Sequence, residues 1–107
     1  MMKKLYEMFD GEDLEIAELI HRRRLQLLIH SCIYYGMDRN IISDHQFDKW
    51  SDELVNLQFL YSEISERVPW HDAFRDWDGS TGAFLPINDV WVINMAKRLI
   101  SVEIGSV

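Results

Sequence analysis

The chain has little of several features that other classes of protein require. Its 107 residues contain a single cysteine, Cys32, so no disulfide can form within the chain. No apolar run approaches the roughly 20 residues that a membrane-spanning helix needs. Basic residues are also few, 11 against 18 acidic ones, and a net charge of −7 disfavours contact with nucleic-acid phosphates. We therefore expect a cytoplasmic protein that contacts neither a membrane nor a nucleic acid directly.

Motifs of catalysis and of metal binding are scarce as well. The four histidines have no His-x-x-x-His spacing and the lone cysteine offers no Cys-x-x-Cys pair, so no metal site is predicted. The glycine-rich phosphate loops and the serine nucleophile elbow are also missing from the sequence. Aligning Gly79 with the glycine of an EF-hand loop puts Phe74 and Leu85 where carboxylates are needed. These absences leave no assignable catalytic residue and favour a protein that is not an enzyme.

The residues that are present predict an all-α fold that begins with a helical hairpin. A short helical turn is expected at 3–9, ended by Asp10-Gly11. From about 13 to 35 the chain has no proline or glycine, which favours one long helix, with Gly36 as its left-handed C-cap. The apolar residues that recur at helical intervals in this stretch are Leu14, Ala17, Ile20, Leu25, Leu28, Cys32 and Tyr35.

A second helix follows after a short connection. Ser43 and Gln46 have the spacing of a capping box, and Asp44 is favourably placed at the positive end of the helix. A heptad-like seam then runs along Phe47, Trp50, Leu54, Leu57, Tyr61 and Ile64. Because the loop at 36–42 is short, the two helices should pack antiparallel over about 13–64.

The remainder of the single domain, 1–107, is predicted to be a loop at 65–87 and a helix at 88–102. Four aromatic rings of the loop are expected to pack on the hairpin, those of Trp70, Phe74, Trp77 and Phe84. Asn88 or Asp89 can cap the last helix. Its buried face is predicted to carry Trp91, Met95, Leu99 and Val102.

One end of the hairpin collects side chains suited to a nucleotide-like ligand. Aromatic rings stack on flat rings, and carboxylates hold cationic or hydroxyl-bearing groups. The candidate ligand-binding residues are Tyr34, Tyr35, Asp44, Phe47, Asp48 and His30. Each also has a structural interpretation, since Asp44 stabilises the helix start, Phe47 belongs to the seam and His30 can be an ordinary surface or hydrogen-bonded histidine.

Two further groups are candidates for contact with a partner. Arg22, Arg23 and Arg24 are the only basic cluster, but successive helical residues point about 100° apart, so an exposed helix surface is the simpler interpretation. Trp77 and Asp78 precede Gly79 in Asp-Gly-Ser-Thr-Gly, which has the chemistry of a structural turn.

The hairpin end resembles the N-terminal Ia domain of NAD-dependent bacterial DNA ligases. That family has the pattern Tyr-His-x-x-Asp-x-Pro-x-Ile-x-Asp-x-x-Tyr-Asp-x-Leu followed by Glu-Leu, and here residues 34–50 read YYGMDRNIISDHQFDKW before Glu53-Leu54. The resemblance implies recognition of the nicotinamide mononucleotide (NMN) half of NAD. Tyr34, Asp44 and Asp48 match functional positions of the family, whereas a tyrosine replaces the usual histidine and Phe47 replaces the usual tyrosine.

The resemblance covers about 45 residues. The chain lacks the Lys-x-Asp-Gly adenylation motif of the family, so the resemblance implies no DNA ligation by this chain alone. As a whole the chain resembles free-standing ligase-Ia-like proteins of bacteriophages and prophages, which share the arginine cluster and a loop like 76–86. The resulting hypothesis is a non-catalytic binding module that acts through a host or phage protein and retains weak NMN or NAD binding. The alternatives are an NMN- or NAD-binding protein or enzyme subunit, and an acidic inhibitor of a host DNA-binding protein.

Overall fold

The computed structural model describes residues 4–103 and confirms the all-α prediction. The helices are α1 Leu5–Met8, α2 Gly11–Ser31, α3 Asp44–Leu60, α4 Ser62–Ser65, α5 His71–Phe74 and α6 Val90–Glu103. A π-helical turn, Cys32–Gly36, extends α2 without a break. No helix in the described range is both long and apolar enough to cross a bilayer.

Helices α2 and α3 form the predicted antiparallel hairpin. Contacts between them show the direction, because residue numbers fall along α3 as they rise along α2. His30 packs its ring 5.5 Å from that of Trp50, whereas Arg23, two turns earlier, donates to Glu53 at 3.0 Å. Helix α2 lies at the centre of the fold, since α1, α4 and α6 also pack against it.

The ends of the hairpin helices differ from the predictions in two places. Gly36 is not a left-handed C-cap, because the helix widens into the π-turn and passes through it; the left-handed residue is Asp38, with φ of 53°. The second helix does not continue to residue 64. It ends at Leu60, and Tyr61 (φ −123°, ψ 51°) turns the chain into α4, so this tyrosine of the predicted seam is exposed.

The aromatic stretch at 65–87 packs on the hairpin through three of its four predicted rings. Phe74 is fully buried, Trp77 meets it edge-on with ring centroids 5.2 Å apart, and Trp70 is half-buried. The prediction for Phe84 is wrong, because its side chain is 90% exposed. The stretch also contains α5, which a loop prediction missed.

Helix α6 buries a face that overlaps only partly with the one predicted. Asp89 caps it as expected, accepting hydrogen bonds from the backbone N–H groups of residues 91 and 92. The fully buried residues are Val92 and Ala96, while Trp91 is 43% exposed and Val102 is 72% exposed. The centre of the buried face therefore lies at Val92 and Ala96, while Leu99 of the predicted stripe is half-buried and packs against the core as expected.

Arg24 corrects the interpretation of the arginine cluster as an exposed helix surface. Its side chain is fully buried, whereas Arg22 is exposed and Arg23 pairs with Glu53 across the hairpin. Arg24 Nε donates to Gln58 Oε1 at 2.9 Å, and its guanidinium lies 5.9 Å from the ring centroid of Phe74. Arg24 belongs to α2, but the groups that it contacts belong to four later segments of the chain.

All five N–H donors of Arg24 are used. Beyond the bond to Gln58, Nη1 donates to the carbonyls of Val68 and Pro69 at 2.9 and 3.1 Å. Nη2 donates to the Ser65 carbonyl at 3.2 Å and to its hydroxyl at 2.6 Å. Burial lowers the pKa of Arg24 to about 10, so the group is still charged at neutral pH. The carbonyls at and just after the carboxyl end of α4 are neutral acceptors, and they take the place of the carboxylate that usually pairs with a buried arginine.

Replacing Arg24 by leucine should destabilise the fold strongly. The substitution leaves the carbonyls of Val68 and Pro69 without donors, whereas the Ser65 carbonyl keeps the N–H of Val68. Each buried acceptor left unpaired costs about 1–3 kcal/mol, so two of them cost about 2–6 kcal/mol. The free energy of unfolding, measured with urea, should fall by that amount for Arg24→Leu. The matched variant Arg22→Leu should change it by less than about 0.5 kcal/mol. Equal effects of the two variants would show that Arg24 does not organise the fold.

Candidate functional site

A cleft of about 270 Å³ opens where α2 and its π-turn meet the start of α3. Three elements form its walls: the end of the first hairpin helix, the connection with the first turns of α3, and the loop after Trp77. The lining residues are His30, Ile33, Tyr34, Tyr35, Arg39, Asn40, Ile41, Ile42, Ser43, Asp44, Phe47, Asp48, Ser80 and Thr81.

The aromatic wall is built by the π-turn. Its wider winding is shown by the N–H of Met37, which donates to the carbonyl of Cys32 five residues earlier at 3.1 Å. Tyr34 and Tyr35 meet edge-on with ring centroids 4.8 Å apart, and both are about half exposed. Isolated π-turns of this kind occur frequently at functional sites.

The acidic wall comes from the first turns of α3. The Ser43 hydroxyl accepts from the Gln46 N–H at 3.0 Å, which confirms the Ser43 half of the predicted capping box and sets where the helix begins. Asp44 and Asp48 then follow one turn apart on the same face, with Phe47 beside them. Both carboxylates are exposed, so they can contact a bound molecule without first losing an internal partner.

His30 lies at the inner side of the cleft. Its ring packs against Trp50, and burial lowers its pKa from the ordinary histidine value, which favours the neutral imidazole. A neutral imidazole has one donor and one acceptor nitrogen and adds no charge to the cleft. The charged residues that line the cleft are thus two aspartates and Arg39.

The third wall is the loop at 76–82. Trp77 Nε1 donates to the Thr81 carbonyl at 2.7 Å, and the Thr81 and Tyr35 hydroxyls are hydrogen-bonded at 2.9 Å. Asp78 accepts from the N–H and the hydroxyl of Ser80, which lowers its pKa and closes a turn at Gly79, where φ is 84°. The Thr81 hydroxyl therefore links the loop to the aromatic pair.

Gly82 allows this loop to approach the hairpin. A Cβ at this position would collide with Ser31 Oγ, lie 2.8 Å from Ser31 Cβ and lie 3.2 Å from Cζ of Phe47. Because Ser31 is fully buried, it has little space into which to move. The backbone at Gly82 therefore sets how closely the third wall approaches Phe47.

Alanine at Gly82 should destabilise the protein by about 1–3 kcal/mol through overpacking. Gly36→Ala is the matched control, because a Cβ there would meet only Cys32 Sγ at an ordinary 3.7 Å within a helical segment. That variant should be neutral or more stable by up to about 1 kcal/mol. Urea unfolding separates the two, and an unchanged midpoint for Gly82→Ala would contradict the close approach.

The structure brings together all six residues predicted to bind a ligand, since each lines the cleft. The role of these residues in binding stays a prediction. The sequence-based prediction missed five polar residues that line the cleft. The hydroxyls of the Asp-Gly-Ser-Thr-Gly turn and the arginine next to the tyrosine pair were visible signals, but only the fold brings them to the cleft. The missed residues are Arg39, Asn40, Ser43, which was assigned only as a helix cap, Ser80 and Thr81.

The residues predicted to contact a partner are more dispersed. Arg24 is buried and Arg23 is paired across the hairpin, which leaves Arg22 as the exposed member of that cluster. Trp77 and Asp78 both make hydrogen bonds within the loop at 76–82, as the turn interpretation expected. A role in partner contact is untested for either group.

The lone cysteine lies outside the lining of the cleft. Cys32 is buried, and burial raises the pKa of its thiol, so it is not an activated nucleophile. The described part of the chain holds no group of three or more metal-binding side chains. Comparison with protein-family models, with curated proteins and with solved structures gives no match.

Proposed function

We propose that the protein is a non-catalytic binding module that takes a nicotinamide nucleotide in this cleft. The observation that supports the proposal is the common lining by the aromatic rings of Tyr34 and Phe47 and the carboxylates of Asp44 and Asp48. These are four of the positions on which the resemblance to the ligase Ia domain depends.

The chemistry of a nicotinamide nucleotide complements that of the cleft. An oxidised nicotinamide ring is flat and carries a positive charge, which aromatic faces and carboxylates both attract. Ribose hydroxyls can donate to the carboxylate oxygens of Asp44 or Asp48. Phe47 offers a stacking face but no hydroxyl, so one hydrogen bond expected from the family pattern is missing and the affinity should be modest.

The size of the cleft favours a mononucleotide. Its volume of about 270 Å³ lies just below the range of about 300–1,000 Å³ that is usual for small-molecule sites. A more open hollow of about 390 Å³ shares four of its five lining residues with the cleft, namely Tyr34, Tyr35, Arg39 and Asn40. The nicotinamide half of NAD suits the cleft, and the second hollow leaves space for a group that extends from it.

Calorimetric titration with NMN tests the proposal through Asp48. Hydrogen bonds to a charged group contribute about 1.5–3 kcal/mol, so Asp48→Ala should weaken NMN binding about tenfold or more. Asp52→Ala is the control, since Asp52 is exposed one turn further along α3 and does not line the cleft. That variant removes the same charge and should retain the affinity. Absence of binding at millimolar NMN, or equal losses in both variants, would reject nucleotide binding.

A protein partner is a second candidate function, favoured by exposed apolar side chains at the end of α3. Phe59 is 83% exposed and Leu60 is 68% exposed, and the exposed ring of Tyr61 follows them. Successive helical residues point about 100° apart, but all three side chains are exposed at one helix end. Several large apolar side chains exposed at one place are more typical of a contact surface than a single exposed residue. This end of α3 is the one opposite the cleft, so a partner there would leave the cleft open.

Co-purification with the double variant Phe59→Ser/Leu60→Ser tests this surface. A docked protein should be lost from the double variant and retained by Asp48→Ala, because the two changes lie at opposite ends of α3. Both variants should keep the wild-type circular dichroism spectrum. A partner that survives the double substitution binds elsewhere on the protein.

A further inference from the structure

Arg39 is the cation of the cleft, and it lies where the cleft meets the second hollow. It lines both, together with Tyr34, Tyr35 and Asn40. Its side chain is exposed, and across residues 4–102 it forms no ion pair with a carboxylate. The guanidinium therefore has donors available for an anion that reaches this edge.

The backbone holds Arg39 at this position. The Arg39 N–H donates to the Ile33 carbonyl at 3.0 Å, which ties the connecting segment to the start of the π-turn. The preceding residue, Asp38, has a positive φ of 53°, a conformation that non-glycine residues adopt infrequently. Such conformations recur at ligand sites, where the surrounding structure holds them in place.

The opposite charges that line the cleft come from two different segments of the chain. Asp44 and Asp48 belong to α3, whereas Arg39 belongs to the connecting segment before it and also borders the second hollow. A ligand with a cationic ring at one end and an anion at the other would satisfy both. Tyr35 has no positive charge to offer, and its hydroxyl is already bonded to Thr81.

We propose that Arg39 binds the phosphate of the ligand and makes the cleft selective for a nucleoside monophosphate over the corresponding nucleoside. The inference rests on the proposed function, because the ring and ribose contacts set the direction in which the phosphate leaves the cleft. Arginine suits this role, since its planar fork can donate two parallel hydrogen bonds to phosphate oxygens. Asn40, which also lines the cleft and the second hollow, can donate a further hydrogen bond from its neutral side-chain amide.

Titrations with NMN and with nicotinamide riboside, which lacks only the phosphate, test the inference. Wild-type protein should bind NMN about tenfold more tightly than the riboside. A hydrogen-bonded ion pair at an exposed site contributes a binding free energy at the lower end of the usual range. Arg39→Gln should reduce NMN affinity to that of the riboside and leave riboside binding unchanged. Arg39→Lys should retain part of the preference, because it keeps the charge without the fork.

Arg22→Gln is the control for net charge, since Arg22 is exposed on α2 and does not line the cleft. It should retain the preference for NMN. The advantage of NMN over the riboside should also shrink as salt is raised from 50 to 500 mM, as expected for an exposed ion pair.

The outcomes separate this inference from the proposed function. Equal wild-type affinities for NMN and riboside, or equal losses of both ligands in Arg39→Gln, would overturn the phosphate contact while nucleotide binding stands. Loss of the NMN preference in Arg22→Gln as well would overturn it too, since a diffuse charge effect would then explain the data. Failure of wild-type protein to bind either compound would reject the proposed function and this inference together.

Discussion

The structure depends on one buried cation, the guanidinium of Arg24. Its five donors connect α2 to Gln58 of α3, to Ser65 at the end of α4 and to the carbonyls of Val68 and Pro69. The amide of Gln58 extends the network by donating to the carbonyl of Phe74 in α5. Burying a charge without a counter-ion is unfavourable unless all of its hydrogen bonds are made, and here they are. The network thus sets the position of the chain as it leaves the hairpin.

The position of that segment decides whether the cleft has a third wall. Phe74, which lies against Arg24, also packs perpendicular to Trp77, and Trp77 donates to the Thr81 carbonyl. Packing in the core is in this way connected to Thr81, whose hydroxyl is hydrogen-bonded to Tyr35. The close approach at Gly82 completes the connection, because only a residue without a side chain fits against Ser31. The cleft is lined by residues distant in sequence, and contacts in the protein core hold them together.

Much of the cleft could be predicted from local pattern. The Ser43 cap and the one-turn spacing of Asp44 and Asp48 follow from helix geometry, and a short connection places the end of α2 beside the start of α3. Arg39, Ser80 and Thr81 could not be assigned in this way. Their place in the cleft depends on a left-handed residue at 38 and on the path of a loop without periodicity.

The amino-acid sequence by itself determined the all-α class, the antiparallel hairpin and the capped starts of α3 and α6, because caps and helical periodicity act between near neighbours. Tertiary structure alone decided that Arg24 is buried, that α6 turns Val92 and Ala96 inward, and that Phe84 is exposed. Apolar residues occur on several faces of α6, so its sequence does not single out one of them. The choice among those faces, and the burial of an arginine, depend on what other segments place opposite them.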